Sequence, residues 1–183
     1  MDSTFRMLGL VGLLLLKEFY NMKRLYIYFL FLLTIVSFSQ TVNSTNQHLP
    51  HLAKFVNDNE KIFQWSQINL LNENLKFYER KSTNEIVILT TASIEPYTTI
   101  YDYSLDLANN SGIGKKDKNN GVLIVISKKL RQIQIQVGDG ITDKLTNEEC
   151  KSIIKTIISY IKKEDFYKGV ERGIELIKKE LNP

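Results

Sequence analysis

Two short loops concentrate the side chains in this sequence that can do chemistry. "GKKDKNNG", residues 114–121, carries Asp117, Asn119 and Asn120 beside Lys115 and Lys116, and "GDGITDKLT", residues 138–146, carries Asp139 and Asp143. Carboxylates, amides and glycine-freed carbonyls are hard oxygen donors, which suits calcium or magnesium, cations that take six or more oxygen ligands. The two lysines add a place for an anion, and a cation beside a bound phosphate would describe a metal-assisted phosphomonoesterase. No Cys, Ser or Asp stands in a spacing that dictates nucleophilic attack, so the general-base candidates reduce to carboxylates. Asn, Asp and Gly are also ordinary turn residues, and a solvated rim is the alternative for both loops.

Other chemistries are disfavoured by simple counts. A single cysteine, Cys150, excludes an internal disulfide, and with only His48 and His51 no zinc set can be assembled. The glycine and lysine stretch is not a nucleotide-binding P-loop: GxxxxGK[ST] is absent, and the stretch precedes an apolar strand where a P-loop opens a helix. Residues 1–39 hold four Lys/Arg and two Asp/Glu, so the formal charge of +4 falls to +2 for the remainder, which gives nucleic-acid binding no support. With 43% hydrophobic and 24% charged residues, the 183-residue chain is globular and sized for one core.

The elements that must position the loops follow from periodicity. Ile68, Leu71, Leu75 and Tyr78 share one face of a helix over 66–81 with Ser66 as its cap, and "EIVILTT", 85–91, is a buried strand. Pro96 breaks the path. Ile100, Tyr103 and Leu107 mark a second helix to Asn110, stopped at Gly112. "VLIVIS", 122–127, is apolar throughout like a central strand, and "RQIQIQV", 131–137, alternates like a half-buried one. Thr146 with Glu149 forms a capping box that opens a helix bearing Ile153, Ile154, Ile157 and Ile161. Cys150 lies inside this helix, where a small, partly buried side chain is expected rather than a catalytic nucleophile. Asp165 caps a last helix with Tyr167, Val170, Ile174, Ile177 and Leu181 on its stripe. The order predicts an α/β fold, a small mixed sheet packed between helices, with the strand–helix–strand unit crossing over right-handedly. As an antiparallel hairpin, strands 122–127 and 131–137 bring the two oxygen-rich loops to one rim. Asp58 joins that rim if the segment 58–65 folds back to it.

Ahead of this body, residues 22–39 read as a secretory signal peptide: Lys23 and Arg24, an apolar run from Leu25 to Phe38, and small Ser37 and Ser39 at a cut. Met22 is the expected true start. Export to the periplasm or cell envelope follows, with an uncleaved membrane anchor as the alternative. Residues 40–52 read as a polar tether, its histidines solvated, and 53–183 as the domain.

Several segments resemble the TPM domain family: "FVNDNEKIF", "NEIVILTT", "GIGKKDKNNGVLIVIS", "IQIQVGDGITDKLTNEECKSII" and "EDFYKGVERGIELI", in the family's order over roughly 53–180. The resemblance implies an α/β sandwich in an exported or membrane-attached protein. It also implies two kinds of function, acid phosphatase as in a thylakoid-lumen member and accessory subunit as in an animal receptor-associated member. The expectation for this chain is an envelope module that binds membrane proteins, with the phosphatase as the alternative. Two departures from the family concern the rim. Asn119-Asn120-Gly121 stands where the family commonly shows Asp-Asn-Gly, and Asp139 where an aromatic often lies between the glycines. One carboxylate is lost from the first loop and one gained in the second.

Overall fold

A computed structural model describes Tyr20, residues 49–53 and residues 55–181. Apart from Tyr20, the leader, together with residues 40–48 of the tether, lies outside the described residues. Among the described residues no helix is long and apolar enough to cross a membrane.

The chain runs β1 (Val56–Asp58), α1 (Trp65–Ser82), β2 (Glu85–Thr90), α2 (Ile100–Ser111), β3 (Gly121–Ser127), β4 (Gln132–Val137), a single 3-10 turn (Asp139–Ile141), α3 (Asn147–Ile161) and α4 (Phe166–Leu181). The strands lie in the sheet in sequence order, β1 to β3 parallel and β4 antiparallel to β3. Every residue of β3 is buried, as its unbroken apolar run requires of a strand covered on both faces.

Strand alternation splits the interior into two cores. Ile86, Ile88, Val122, Ile124 and Ile126 face α1, α3 and α4, and pack with Leu71, Leu75, Ile157 and Ile174. Val87, Leu89, Leu123 and Val125 face the other way, against Tyr103 and Leu107 of α2. The sheet is thus sandwiched between helices, as expected.

The sequence predicts a single strand–helix–strand unit, β2–α2–β3, and β1 adds a second, β1–α1–β2. β1, β2 and β3 follow one another in one direction across the sheet, yet α1 covers one face and α2 the other. The two connections therefore have opposite hands, and one departs from the usual right-handed rule. β1 itself was not foreseen. Only Val56 of its three residues is buried, so no alternating pattern exists to read.

Most helix ends agree with the sequence. Gly112 closes α2 at φ 62°, Thr146 Oγ1 accepts the Glu149 N–H at 3.4 Å while Glu149 accepts the Thr146 N–H at 2.5 Å, and Asp165 accepts the Lys168 N–H at 3.1 Å. The start of α1 differs: the helix begins at Trp65 rather than after Ser66, and Gln67 accepts the Gln64 N–H at 2.8 Å. A glutamine three residues into the helix reaches back as the glutamate of a capping box does.

Cys150 is buried on α3, and desolvation, reinforced by the Glu149 carboxylate beside it, pushes its thiol up to about 11. At pH 8 a free thiol near 8.5 is about one quarter thiolate, and a thiol near 11 about one part in a thousand. Iodoacetamide labelling of the native protein at pH 8 is therefore expected to run about two-hundredfold slower than after denaturation. Equal rates would place the thiol at the surface.

Candidate functional site

The amino ends of β2 and β3 and the carboxyl end of β4 meet at one rim, because Glu85 pairs with Gly121 and Val122 with Val137. Here the loop 113–120 and the turn after β4 are stacked backbone on backbone. The Gly140 N–H donates to the Asn119 carbonyl at 3.1 Å, and the Gly138 N–H to the Gly121 carbonyl at 2.8 Å. A Cβ on Gly140 would lie 1.8 Å from the Lys118 carbonyl oxygen, and one on Gly138 2.2 Å from that of Asn119. These glycines let one backbone approach another.

Asn120 locks the arrangement from inside. It is 3% exposed; its Oδ1 accepts the Lys115 N–H at 2.8 Å, and its Nδ2 donates to the Thr83 carbonyl at 2.8 Å and to Asn84 Oδ1 at 3.0 Å. The amide proposed as a cation ligand is thus a structural clamp between α1, β2 and the loop. Glu85 adds a second clamp, accepting the Gly114 N–H at 2.7 Å. Neither Glu85 nor Asn84 is singled out by the sequence, where each looks like the polar start of a strand and its partner lies some thirty residues away.

The lysines are similarly engaged. Lys115 Nζ lies 2.6 Å from Glu79 of α1, whose hydrogen bond and charge hold the ammonium above its ordinary range. Lys118 Nζ donates to Thr83 Oγ1 at 3.1 Å. Lys116 is exposed on the turn.

Asp58 is not part of this rim. It pairs with Thr90, at the opposite end of the sheet, where its Oδ1 accepts from the Thr90 hydroxyl at 2.6 Å and the Ile62 N–H at 3.1 Å, and its Oδ2 accepts the Phe63 N–H at 2.9 Å. Parallel pairing of β1 with β2 sends the end of β1 to the carboxyl edge, whereas the rim lies at the amino edge. Asp58 therefore organises the chain that leads into α1. Glu60 continues this knot, accepting the Lys128 and Lys129 N–H groups of the hairpin turn at 2.7 and 3.0 Å.

Of the remaining candidates, the structure brings Asn119 and Asp139 together on the wall of a cleft of about 380 Å³. Leu105, Ala108 and Asn109 of α2 form the facing wall, with Gln136 of β4 beside them. Gln136 is fixed by α2, donating to Ser104 Oγ at 2.9 Å. Asp117 and Asp143 are exposed on the turns that flank the cleft and do not line it.

Among the described residues no three His, Cys, Asp or Glu side chains converge as a ligand set. What the rim offers a cation is one carboxylate, Asp139, one amide, Asn119, and the carbonyls of two tightly held loops. One carboxylate and one amide would hold a hard cation such as calcium only weakly, with water supplying most of its ligands.

The TPM domain model matches residues 56–180, nearly the whole of the described body. The fold is similar to the N-terminal domain of a protein from P. gingivalis solved by NMR, at TM-score 0.63 and 22% identity, over 70% of this chain and 82% of that one. It is also similar to the BA42 protein of the psychrophilic bacterium Bizionia argentinensis, at TM-score 0.58 and 21% identity, over 67% and 83%. An N-terminal domain from Corynebacterium glutamicum aligns at TM-score 0.57 and 14% identity, over 74% and 85%. No curated protein matches the sequence.

Proposed function

The chain belongs to the TPM domain family, and from that premise we propose that it is an exported binding module of the bacterial cell envelope. Its functional face is the cleft between α2 and the loop rim, where Asn119 and Asp139 hold a calcium or magnesium ion at the mouth, and its partners are membrane or envelope proteins. The observation that carries this reading is that Asn119 and Asp139 line one cleft and stand outside the hydrogen-bonded clamp formed by Asn120 and Glu85. Export rests on the signal-peptide pattern of residues 22–39, and a mature protein beginning at Gln40 or Thr41 would support it.

Binding is favoured over hydrolysis by the state of Lys115, whose ion pair with Glu79 draws it away from service as a phosphate ligand. Turnover of a generic phosphomonoester, lost in Asp139→Asn or Asp143→Asn, would replace the binding reading with a metal-assisted phosphatase.

Calcium titration calorimetry tests the cation directly. A site with one carboxylate belongs to the weak class, with a dissociation constant of about 0.1–1 mM. Asp139→Asn is expected to weaken binding at least tenfold. Asn119→Asp, which adds a second carboxylate to the same wall, is expected to strengthen it by a similar factor. Unchanged affinity in Asp139→Asn rejects the site.

A further inference from the structure

At the other end of the sheet a second groove, about 600 Å³, opens between the start of β4 and the α3–α4 turn. It lies outside the carboxyl end of β3, the edge at which open α/β sheets commonly hold ligands. Its floor is apolar, built from Ile126, Ile133, Ile158, Ile161 and Phe166. Ile158, 36% exposed, presents an aliphatic side chain to solvent beside the other apolar residues of the floor. Three cations, Lys128, Arg131 and Lys162, line the same groove with one carboxylate, Glu164. The Glu60 carboxylate fixes the backbone of Lys128, whose Nζ sits 5.3 Å above the Phe166 ring. The groove thus joins a hydrocarbon surface to a mouth with an excess of positive charge, and none of these residues belongs to the loop rim.

We propose that this groove binds a single-chain amphipathic anion, a carboxylate carrying a linear hydrocarbon tail of about eight to twelve carbons, the tail on the isoleucine floor and the carboxylate among Lys128, Arg131 and Lys162. The pairing of charge and apolar surface separates this ligand from a neutral lipid, which leaves the cations unused, and from a small anion, which leaves the floor uncovered. It also separates the groove from the rim cleft, whose oxygen donors repel an anion.

Calorimetric titration of the protein with octanoate, decanoate and dodecanoate below their micelle concentrations, and with decyl alcohol, tests the assignment. The expected result is one saturable site whose affinity rises about tenfold for every two methylenes, with the alcohol at least tenfold weaker than decanoate. Ile158→Glu is expected to abolish binding. Arg131→Asn combined with Lys162→Glu is expected to weaken it tenfold or more; Asn suits the left-handed backbone at Arg131, φ 56°. Both changes fall at exposed positions, and melting temperatures near wild type verify folding. Amide shift changes confined to residues 126–133 and 158–166 support the placement. Affinity independent of tail length, affinity unchanged by Ile158→Glu, or shifts centred on the rim cleft overturn it. So does saturable binding of a Glu-rich amphipathic peptide with no binding of any alkanoate, which would assign the groove to a protein partner. Asp139→Asn leaves alkanoate binding unaltered, so failure here and failure of the cation site are separable.

Discussion

Alanine at Asp58 is expected to lower the unfolding free energy by about 3–4 kcal/mol, measured as a lower urea midpoint at constant slope. One carboxylate accepts three hydrogen bonds, two from the Ile62 and Phe63 backbone and one from Thr90. The Thr90 hydroxyl in turn accepts the Glu60 N–H at 3.0 Å, so the loss spreads to the loop that holds the hairpin turn. Hydrogen bonds to ionised groups contribute roughly 1.5–3 kcal/mol each, and partial exposure of this site keeps the total below their sum. Asp58→Asn retains one acceptor oxygen and sets an amide against an N–H donor, so it should cost about half as much. Neither change is expected to alter calcium affinity. A lowered affinity with stability intact would return Asp58 to the role of ligand.

Asn120→Ala is the second large effect, about 3 kcal/mol and a fall in melting temperature on the order of 10 °C. The truncation leaves the Lys115 N–H, the Thr83 carbonyl and Asn84 Oδ1 without their partner at a site that is 3% exposed. Asn120→Asp should be worse. It keeps an acceptor for the Lys115 N–H, loses both donors, and turns a carboxylate towards two oxygen acceptors in a buried position. A loss below about 1 kcal/mol in the alanine variant would mean that water replaces the amide and that the rim is looser than its geometry.

The contrast between these two residues and Asp139 shows what a sequence can and cannot carry here. Chain length suggests one core where the sheet in fact separates two, yet periodicity marks the faces of both: β3 is uniformly apolar, and the stripes at Leu71, Leu75, Tyr78 and Ile153, Ile157 on one side and Tyr103, Leu107 on the other repeat at helical spacing. The hairpin followed from Ile133, Ile135 and Val137 alternating with glutamine, and from it the meeting of the two loops. The TPM resemblance, carried by short motifs in order, agrees with the family match over 56–180. What stayed illegible depends on pairings across the chain. Asp58 and Asn120 have the types and loop settings of ligands. Only the parallel register of β1 with β2, and the insertion of Asn120 between Thr83 and Lys115, show that their polar atoms are already used. The hand of the crossovers is hidden for the same reason, since it depends on which face each helix covers.

The central claim, a cation held at the cleft mouth, is tested most directly by the melting temperature of the protein in chelator and then in 5 mM calcium. A ligand bound only by the folded state, at ten times its dissociation constant, adds about 1.4 kcal/mol, or a rise of roughly 3–6 °C for a domain of this size. That rise is expected, and its loss in Asp139→Asn. Equal melting temperatures in chelator, calcium and magnesium would contradict it and leave Asn119 and Asp139 as turn residues on the wall of an ion-free cleft.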